Sequence, residues 1–238
     1  MSLRNTLLVA LTLATALQPV AVAQEGPQPH HYSSTLISAQ HVAVVGLTLF
    51  ATSFGDEGLR EEFQEFRTAG TNSMARIGNM FGEPFYVFPA LGVGYLAGRL
   101  TGSESLSRFS LRAGTAAILA SGITTVVKYS LGRTRPGNEG DSDHFRPFSG
   151  SSSFPSGHTT LAFAVATAIA DETRDAWSDV ALYGAAALTG FARMNDDRHW
   201  ASDVMAGALI GHLSARWLSR RQGWLRAGPG SLGIGIRF

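Results

Sequence analysis

Three short polar clusters interrupt an otherwise apolar chain: Lys128 with Arg135-Pro136, then Pro155-Ser156-Gly157-His158, then Arg193, His199 and Asp203. Each lies at the edge of an apolar, helix-like run. Together they supply three fixed cations, two histidines, a carboxylate and a Ser-Gly turn. That set suits gripping a phosphate-like anion and attacking its phosphorus without a metal. A guanidinium fork binds two phosphate oxygens at once, and a lysine adds a point charge. Glycine lets backbone pass close to a ligand, and N–H groups at a helix start attract anions. His199 and Asp203, four apart at a helix start, share a face. A carboxylate on one ring nitrogen fixes the tautomer and leaves the other as nucleophile.

Each cluster alone has an ordinary structural explanation. Lys128 can be a snorkelling lysine at a helix end and Arg135 a surface arginine. Ser156 can be a simple N-cap, with His158 on the surface. The His199–Asp203 pair can merely stabilise a first turn. Arg133 is a further cation, expected behind the site rather than on the anion.

The elements that must position these residues are helices. Six apolar runs, His41–Phe54, Phe85–Leu100, Leu111–Tyr129, His158–Ala170, Asp179–Phe191 and Trp200–Leu218, are rich in Ala, Leu and Gly and do not alternate as strands would. Short amphipathic helices are expected within Asp56–Pro84. Gly102–Ser107 and Asp171–Ser178 read as turns, and Gly137–Phe154 as a loop suited to a substrate-facing lid, with His144, Arg146 and Phe148 at its entrance. Within the tail, Gly228–Phe238 alternates through Leu232, Ile234, Ile236 and Phe238 and has room for one short strand.

Composition limits the alternatives. Charged residues make up 16% and apolar residues 45% of 238, with 27 glycines. Net charge is +1, which gives no field for nucleic acid. The absence of cysteine removes disulfides, thiol nucleophiles and Cys-ligated zinc. No carboxylate cluster suggests a metal site.

The three clusters, in this order, resemble the signature of the type 2 phosphatidic acid phosphatase superfamily, which includes bacterial acid phosphatases and vanadium haloperoxidases. The shared pattern is Lys-x6-Arg-Pro, then Pro-Ser-Gly-His, then Ser-Arg-x5-His-x3-Asp, and the resemblance covers residues 38–221. One departure is Ala192, where the family carries serine. The resemblance implies an all-α fold, a six-helix core bundle with short accessory helices. It also implies that His199 attacks phosphorus, that Asp203 orients it, and that His158 protonates the leaving oxygen and then activates water. Lys128, Arg135, Arg193, Ser156 and the Gly157 N–H would hold the phosphate oxygens. The expected activity is a metal-independent phosphatase acting on a phosphorylated small molecule or lipid, with no cofactor and vanadate as inhibitor. The alternatives are a haloperoxidase using vanadate as cofactor, or an envelope protein that binds phosphate or lipid without turnover. Oligomeric state is not readable.

Residues 1–23 read as a secretory signal, with Arg4, an apolar stretch from Leu7 to Leu17 and a small-x-small site at Ala21-Val22-Ala23. Residues 24–37 read as a flexible leader, 38–221 as the helical domain and 222–238 as a tail. Removing a signal would leave the first helix starting in the periplasm. A six-span enzyme with a periplasmic site needs that helix to start in the cytoplasm. The apolar runs, roughly 12–17 residues each, fall short of the ~20 needed to span, and the mean hydropathy is only +0.07. Arg99, Arg108, Arg112, Arg174, Arg216, Arg220 and Arg221 gather away from the site, as the positive-inside rule requires of an integral enzyme. The balance favours a periplasm-facing envelope protein, soluble or membrane-associated, over an integral one.

Overall fold

The computed structural model describes residues 52–138, 141–150, 152–173, 175–220, 225–228 and 231–234. The expected signal, the leader and nearly all of the first apolar run lie outside them. The described residues belong to one compact unit, Thr48–Phe238. They form helices α1 (Asp56–Glu65), α2 (Ala69–Gly82), α3 (Pro84–Thr101), α4 (Glu104–Leu131), α5 (Gly157–Thr173), α6 (Ala176–Asn195) and α7 (Ala201–Arg220), with a short 3-10 turn at Pro136–Asn138. The all-α core and the accessory helices α1 and α2 match the expectation. The tail differs: Leu225–Gly228 and Ser231–Ile234 pair as an antiparallel hairpin, two strands rather than one.

Local chemistry explains the boundaries. Thr68 caps α2 in a reciprocal box with Thr71. Pro84 opens α3 behind Glu83, whose carboxylate accepts from the Phe85 N–H. Ser103 caps α4, so the helix starts at Glu104 inside the stretch read as a turn, and buried Ser107 and Ser110 continue it. The turn expected at Asp171–Ser178 is likewise shorter. Asp171 pairs with Arg216 at 2.7 Å and Glu172 with Arg112, which lets α5 run to Thr173, and Asp175 caps α6 through the Ser178 N–H at 2.8 Å.

The core is built from small side chains. Ala113, Ala116, Ala168 and Ala215 cluster where α4, α5 and α7 meet, and helices with such faces approach closely. The crossing of α5 and α7 is close. A Cβ on Gly207 would lie 2.5 Å from the Ser156 carbonyl oxygen, and one on Gly211 would lie 2.3 Å from that of Thr160. Only glycine fits at either position. This crossing brings the start of α5, with His158, against the start of α7, with His199 and Asp203.

The outer faces of α3 and α4 are apolar. Phe85, Val93, Leu96 and Leu100 are exposed along α3, and Ile118, Ile123, Val126 and Tyr129 along α4. Among the described residues, one helix, Glu104–Leu131, is long and apolar enough to cross a membrane, with a third of its apolar window buried.

Candidate functional site

The site is assembled at one end of the bundle, from the last turn of α4, the first turns of α5 and α7, and the last turns of α2 and α6. His199 ends the segment between α6 and α7 and is buried. Its Nδ1 faces Asp203 Oδ2 at 3.4 Å, a long contact that leaves Nε2 without a part in this pair. Burial pushes the imidazole down to about 4, against the opposing pull of Asp203; the Lys128 and Arg193 charges add to the burial. His199 is therefore neutral across the physiological range, the state in which an imidazole nitrogen keeps a free lone pair.

Asp203 is held from four sides. Oδ2 also accepts from the Trp200 N–H at 3.0 Å and the Ser153 hydroxyl at 2.5 Å, and Oδ1 accepts from Arg133 Nη1 at 2.7 Å. The bond to Trp200 is the return half of a capping box, so one carboxylate both caps α7 and orients the histidine. Burial alone would raise the Asp203 carboxyl. The bonds from His199 and Ser153 and the Arg133 charge outweigh burial and hold it below its ordinary value. Asp56 completes this layer. It accepts from Arg133 Nη2 at 2.7 Å and from both the N–H and hydroxyl of Ser202, so it too caps α7. The Asp56, Arg133 and Asp203 side chains are almost wholly buried as one ionic triad.

The cations converge on the same end. Lys128 Nζ bonds the carbonyls of Ser152 and Ser153 from the last turn of α4. Arg135 reaches Ser152 Oγ at 3.4 Å and is otherwise half-buried near Lys128 and Arg193. Arg193, in the last turn of α6, donates through Nη1 to Asn79 Oδ1 at 2.8 Å, and its Nε is buried with no hydrogen-bond partner among the described residues. A buried guanidinium N–H beside other cations is placed to donate to an anion.

His158 stands on the first turn of α5, with Nε2 3.0 Å from Glu83 Oε2. Burial and the Arg193 charge lower its pKa, and Glu83 raises it. Ser156 sits where α5 starts, but its hydroxyl bonds Thr159 Oγ1 at 2.9 Å rather than capping a backbone N–H, and its own N–H bonds the Asp203 carbonyl. Gly157 offers open backbone: an added Cβ would first meet Lys128 Cε, at 3.7 Å.

Every motif residue named from the sequence thus reaches this end. The loop expected as a lid is tied down: backbone bonds join Thr134 to His144, Arg146 to Gly132, Phe148 to Tyr129 and Ser153 to Arg133. The structure adds Asp56, Asn79, Glu83, Ser153 and Ser202, for which local spacing carried no signal. It also adds Arg198, an exposed neighbour of His199 whose charge adds to the burial that lowers the pKa of both Arg135 and Arg193. Among the described residues, no group of three or more acidic or histidine side chains is placed to hold a metal ion.

Residues 109–227, half of the chain, match the model of the PAP2 superfamily. A lipid A 1-phosphatase of Porphyromonas gingivalis is 41% identical over 106 residues, covering 42% of this chain and 22% of that protein. The chain thus spans about a fifth of that curated relative. Two crystal structures share the fold. Aquifex aeolicus LpxE has a TM-score of 0.52 at 23% identity, covering 69% of this chain and 94% of that one. The first transmembrane PAP2-type phosphatidylglycerolphosphate phosphatase, from Bacillus subtilis, has a TM-score of 0.56 at 17% identity, covering 77% and 96%.

Proposed function

The chain belongs to the PAP2 superfamily, and on that footing we propose that it is a metal-independent phosphatase that hydrolyses lipid phosphate monoesters through a phosphohistidine on His199. The observation that carries the reading is the pairing of a buried, neutral His199, oriented by Asp203, with a cluster of cations in which Arg193 Nε has no hydrogen-bond partner among the described residues. The reaction divides into two steps. His199 Nε2 attacks phosphorus as the bond to the leaving oxygen breaks, and His158 gives that oxygen its proton. Water, deprotonated by His158, then attacks the phosphohistidine and releases phosphate. Asp203 stabilises the positive charge that His199 gains. Lys128, Arg135 and Arg193, with the Gly157 N–H, hold the equatorial oxygens where charge builds up.

Two observations favour a lipid substrate. The lipid A 1-phosphatase and the phosphatidylglycerolphosphate phosphatase similar to this chain act, by name, on phosphorylated lipids. The apolar outer faces of α3 and α4 also suit a membrane-associated enzyme of the bacterial envelope, with the site facing the periplasm. The test is hydrolysis of a short-chain phosphatidic acid, a lipid A 1-phosphate and p-nitrophenyl phosphate by the full chain in excess chelator. Chelator-resistant release of phosphate from the lipids, lost in His199→Ala, supports the reading. Turnover that collapses with chelator and returns with a divalent metal overturns it.

A further inference from the structure

Glu83 lies outside all three sequence clusters, yet its carboxylate faces the second histidine of the site. It sits at the junction of α2 and α3 and uses both oxygens. Oε1 accepts from the Phe85 N–H, and Oε2 lies 3.0 Å from His158 Nε2. The approach is built rather than incidental. The residue before it, Gly82, lies so close to α5 that a Cβ there would stand 2.6 Å from the His158 carbonyl oxygen and 2.6 Å from Thr189 Cγ2. One turn earlier, the Thr189 hydroxyl donates to the Gly78 carbonyl at 2.8 Å, fastening α2 to α6. Asn79, four residues before Glu83, holds Arg193. The last turn of α2 therefore grips one catalytic histidine and one phosphate-binding arginine.

We propose that Glu83 is a positioning residue for the reaction: its carboxylate holds His158 by Nε2 and so assigns Nδ1 to the leaving oxygen and to the attacking water. This rests on the phosphohistidine reading above. The site then contains two carboxylate–histidine pairs of opposite tautomer. Asp203 takes Nδ1 of His199 and leaves Nε2 to attack phosphorus. Glu83 takes Nε2 of His158 and leaves Nδ1 to move protons. In the first step His158 is an imidazolium, with Nε2–H on Glu83 and Nδ1–H passing to the leaving oxygen as the P–O bond breaks. In the second step it is neutral, still donating Nε2–H to Glu83, and Nδ1 takes the proton from water as the new P–O bond forms.

The charges facing His158 come from three elements: Arg193 on α6 and Lys128 on α4, which disfavour the imidazolium, and Glu83, which favours it. The influence is mutual, since the His158 bond is the main reason that the Glu83 carboxyl lies below its ordinary value. Removing Glu83 leaves His158 opposed by two cations and burial. The protonated form then persists only to lower pH.

The experiment compares wild type, Glu83→Gln and Glu83→Ala in the full chain, with short-chain phosphatidic acid and p-nitrophenyl phosphate as probes. The alkoxide leaving group of the lipid needs a proton in the first step; p-nitrophenolate does not. For Glu83→Ala, kcat/KM on the lipid should fall roughly 10–100-fold, the range usual for a lost orienting partner. The loss on p-nitrophenyl phosphate should be no more than a few-fold. The alkaline limb of kcat/KM should move to lower pH in both variants. Glu83→Gln should recover part of the rate, because its amide oxygen still accepts from Nε2, but not the pH limb. Inhibition by vanadate, which reports on the cations, should stay within about twofold. Equal losses on both substrates with an unmoved pH limb, or wild-type rates in both variants, would overturn the assignment. Failure of the phosphohistidine reading is seen separately, as retained turnover in His199→Ala.

Discussion

Replacing Arg133 by methionine removes a cation bonded to two buried carboxylates. The guanidinium lies 2.7 Å from both Asp56 and Asp203, and all three side chains are at most 3% exposed. Methionine fills a similar volume but satisfies neither acid. Breaking a buried pair in this way costs about 3–5 kcal/mol, because the orphaned charges cannot return to water. That is a large share of a typical folding stability of about 5–15 kcal/mol. The loss should depend on pH with a definite sign. In wild type the Asp203 carboxyl is depressed, so its contribution is present above the unfolded value of 3.8 and is lost as pH falls through the folded pKa. Burial already raises the Asp56 carboxyl in wild type, against the opposing Ser202 and Arg133 bonds. In the variant Asp56 loses the Arg133 charge and Asp203 loses one of the interactions that depress it, so both take up protons more readily as the solution is acidified and the penalty shrinks. Urea unfolding followed by circular dichroism at pH 7 and pH 5 should therefore show a deficit of about 3 kcal/mol or more at pH 7 and a smaller one at pH 5. Adding Asp56→Asn to Arg133→Met should restore part of the loss. A deficit below about 1 kcal/mol at pH 7, or one that grows on acidification, would refute this account of the triad.

Three further expectations follow from the same geometry. Asp203→Asn keeps the shape but removes the charge that steadies His199, and kcat should fall on the order of 10²–10⁴-fold, as for the orienting carboxylate of other nucleophile–histidine systems; steady-state kinetics within tenfold of wild type would contradict it. Burial holds both His199 and His212 down to about 4. Between the unfolded value near 6.5 and pH 4 the unfolded chain binds protons that the folded chain does not, so stability should fall as pH drops through that window; an unfolding free energy that is flat from pH 7 to 4.5 would be inconsistent with this. Gly211→Ala would place a methyl 2.3 Å from the Thr160 carbonyl, and the overpacked α5–α7 crossing should cost about 1–3 kcal/mol, read as a lower urea midpoint with unchanged slope.

The helices that carry the motifs were legible because two kinds of signal agree in them. In α5 and α7 an apolar run begins directly after a polar cluster whose spacing fits one helix face. The boundaries read less well where polar residues are satisfied at a distance. Gly102 to Ser107 looks like a turn by composition, but Ser103 caps the helix within it, and Ser107 and Ser110 are small enough to bury against α3. Asp171 and Glu172 look like a helix end, yet their partners are Arg216 and Arg112 on other helices. The hairpin in the tail had a local cue, Pro229-Gly230, between the two runs that pair.

The site shows the same division. Lys128, Arg135, His158, Arg193, His199 and Asp203 stood out because their types and intervals form a pattern along the chain. Asp56, Asn79 and Glu83 did not, because each acts on a residue 75 or more positions away. Glu83 in the sequence is only an acid before a proline at a helix start. Ser156 adds a contact that the pattern did not indicate: in the fold its hydroxyl also bonds the Thr159 hydroxyl.

The most direct test of the central claim is to trap the covalent intermediate. The full chain, in excess chelator, would be mixed with a phosphatidic acid labelled on phosphorus, quenched in alkali, where phosphohistidine survives, and mapped by mass spectrometry. The account predicts label on His199, none in His199→Ala, and label that accumulates when His158 is replaced and an activated ester drives the first step. Turnover without any protein-bound phosphate, or label on another residue, would contradict it.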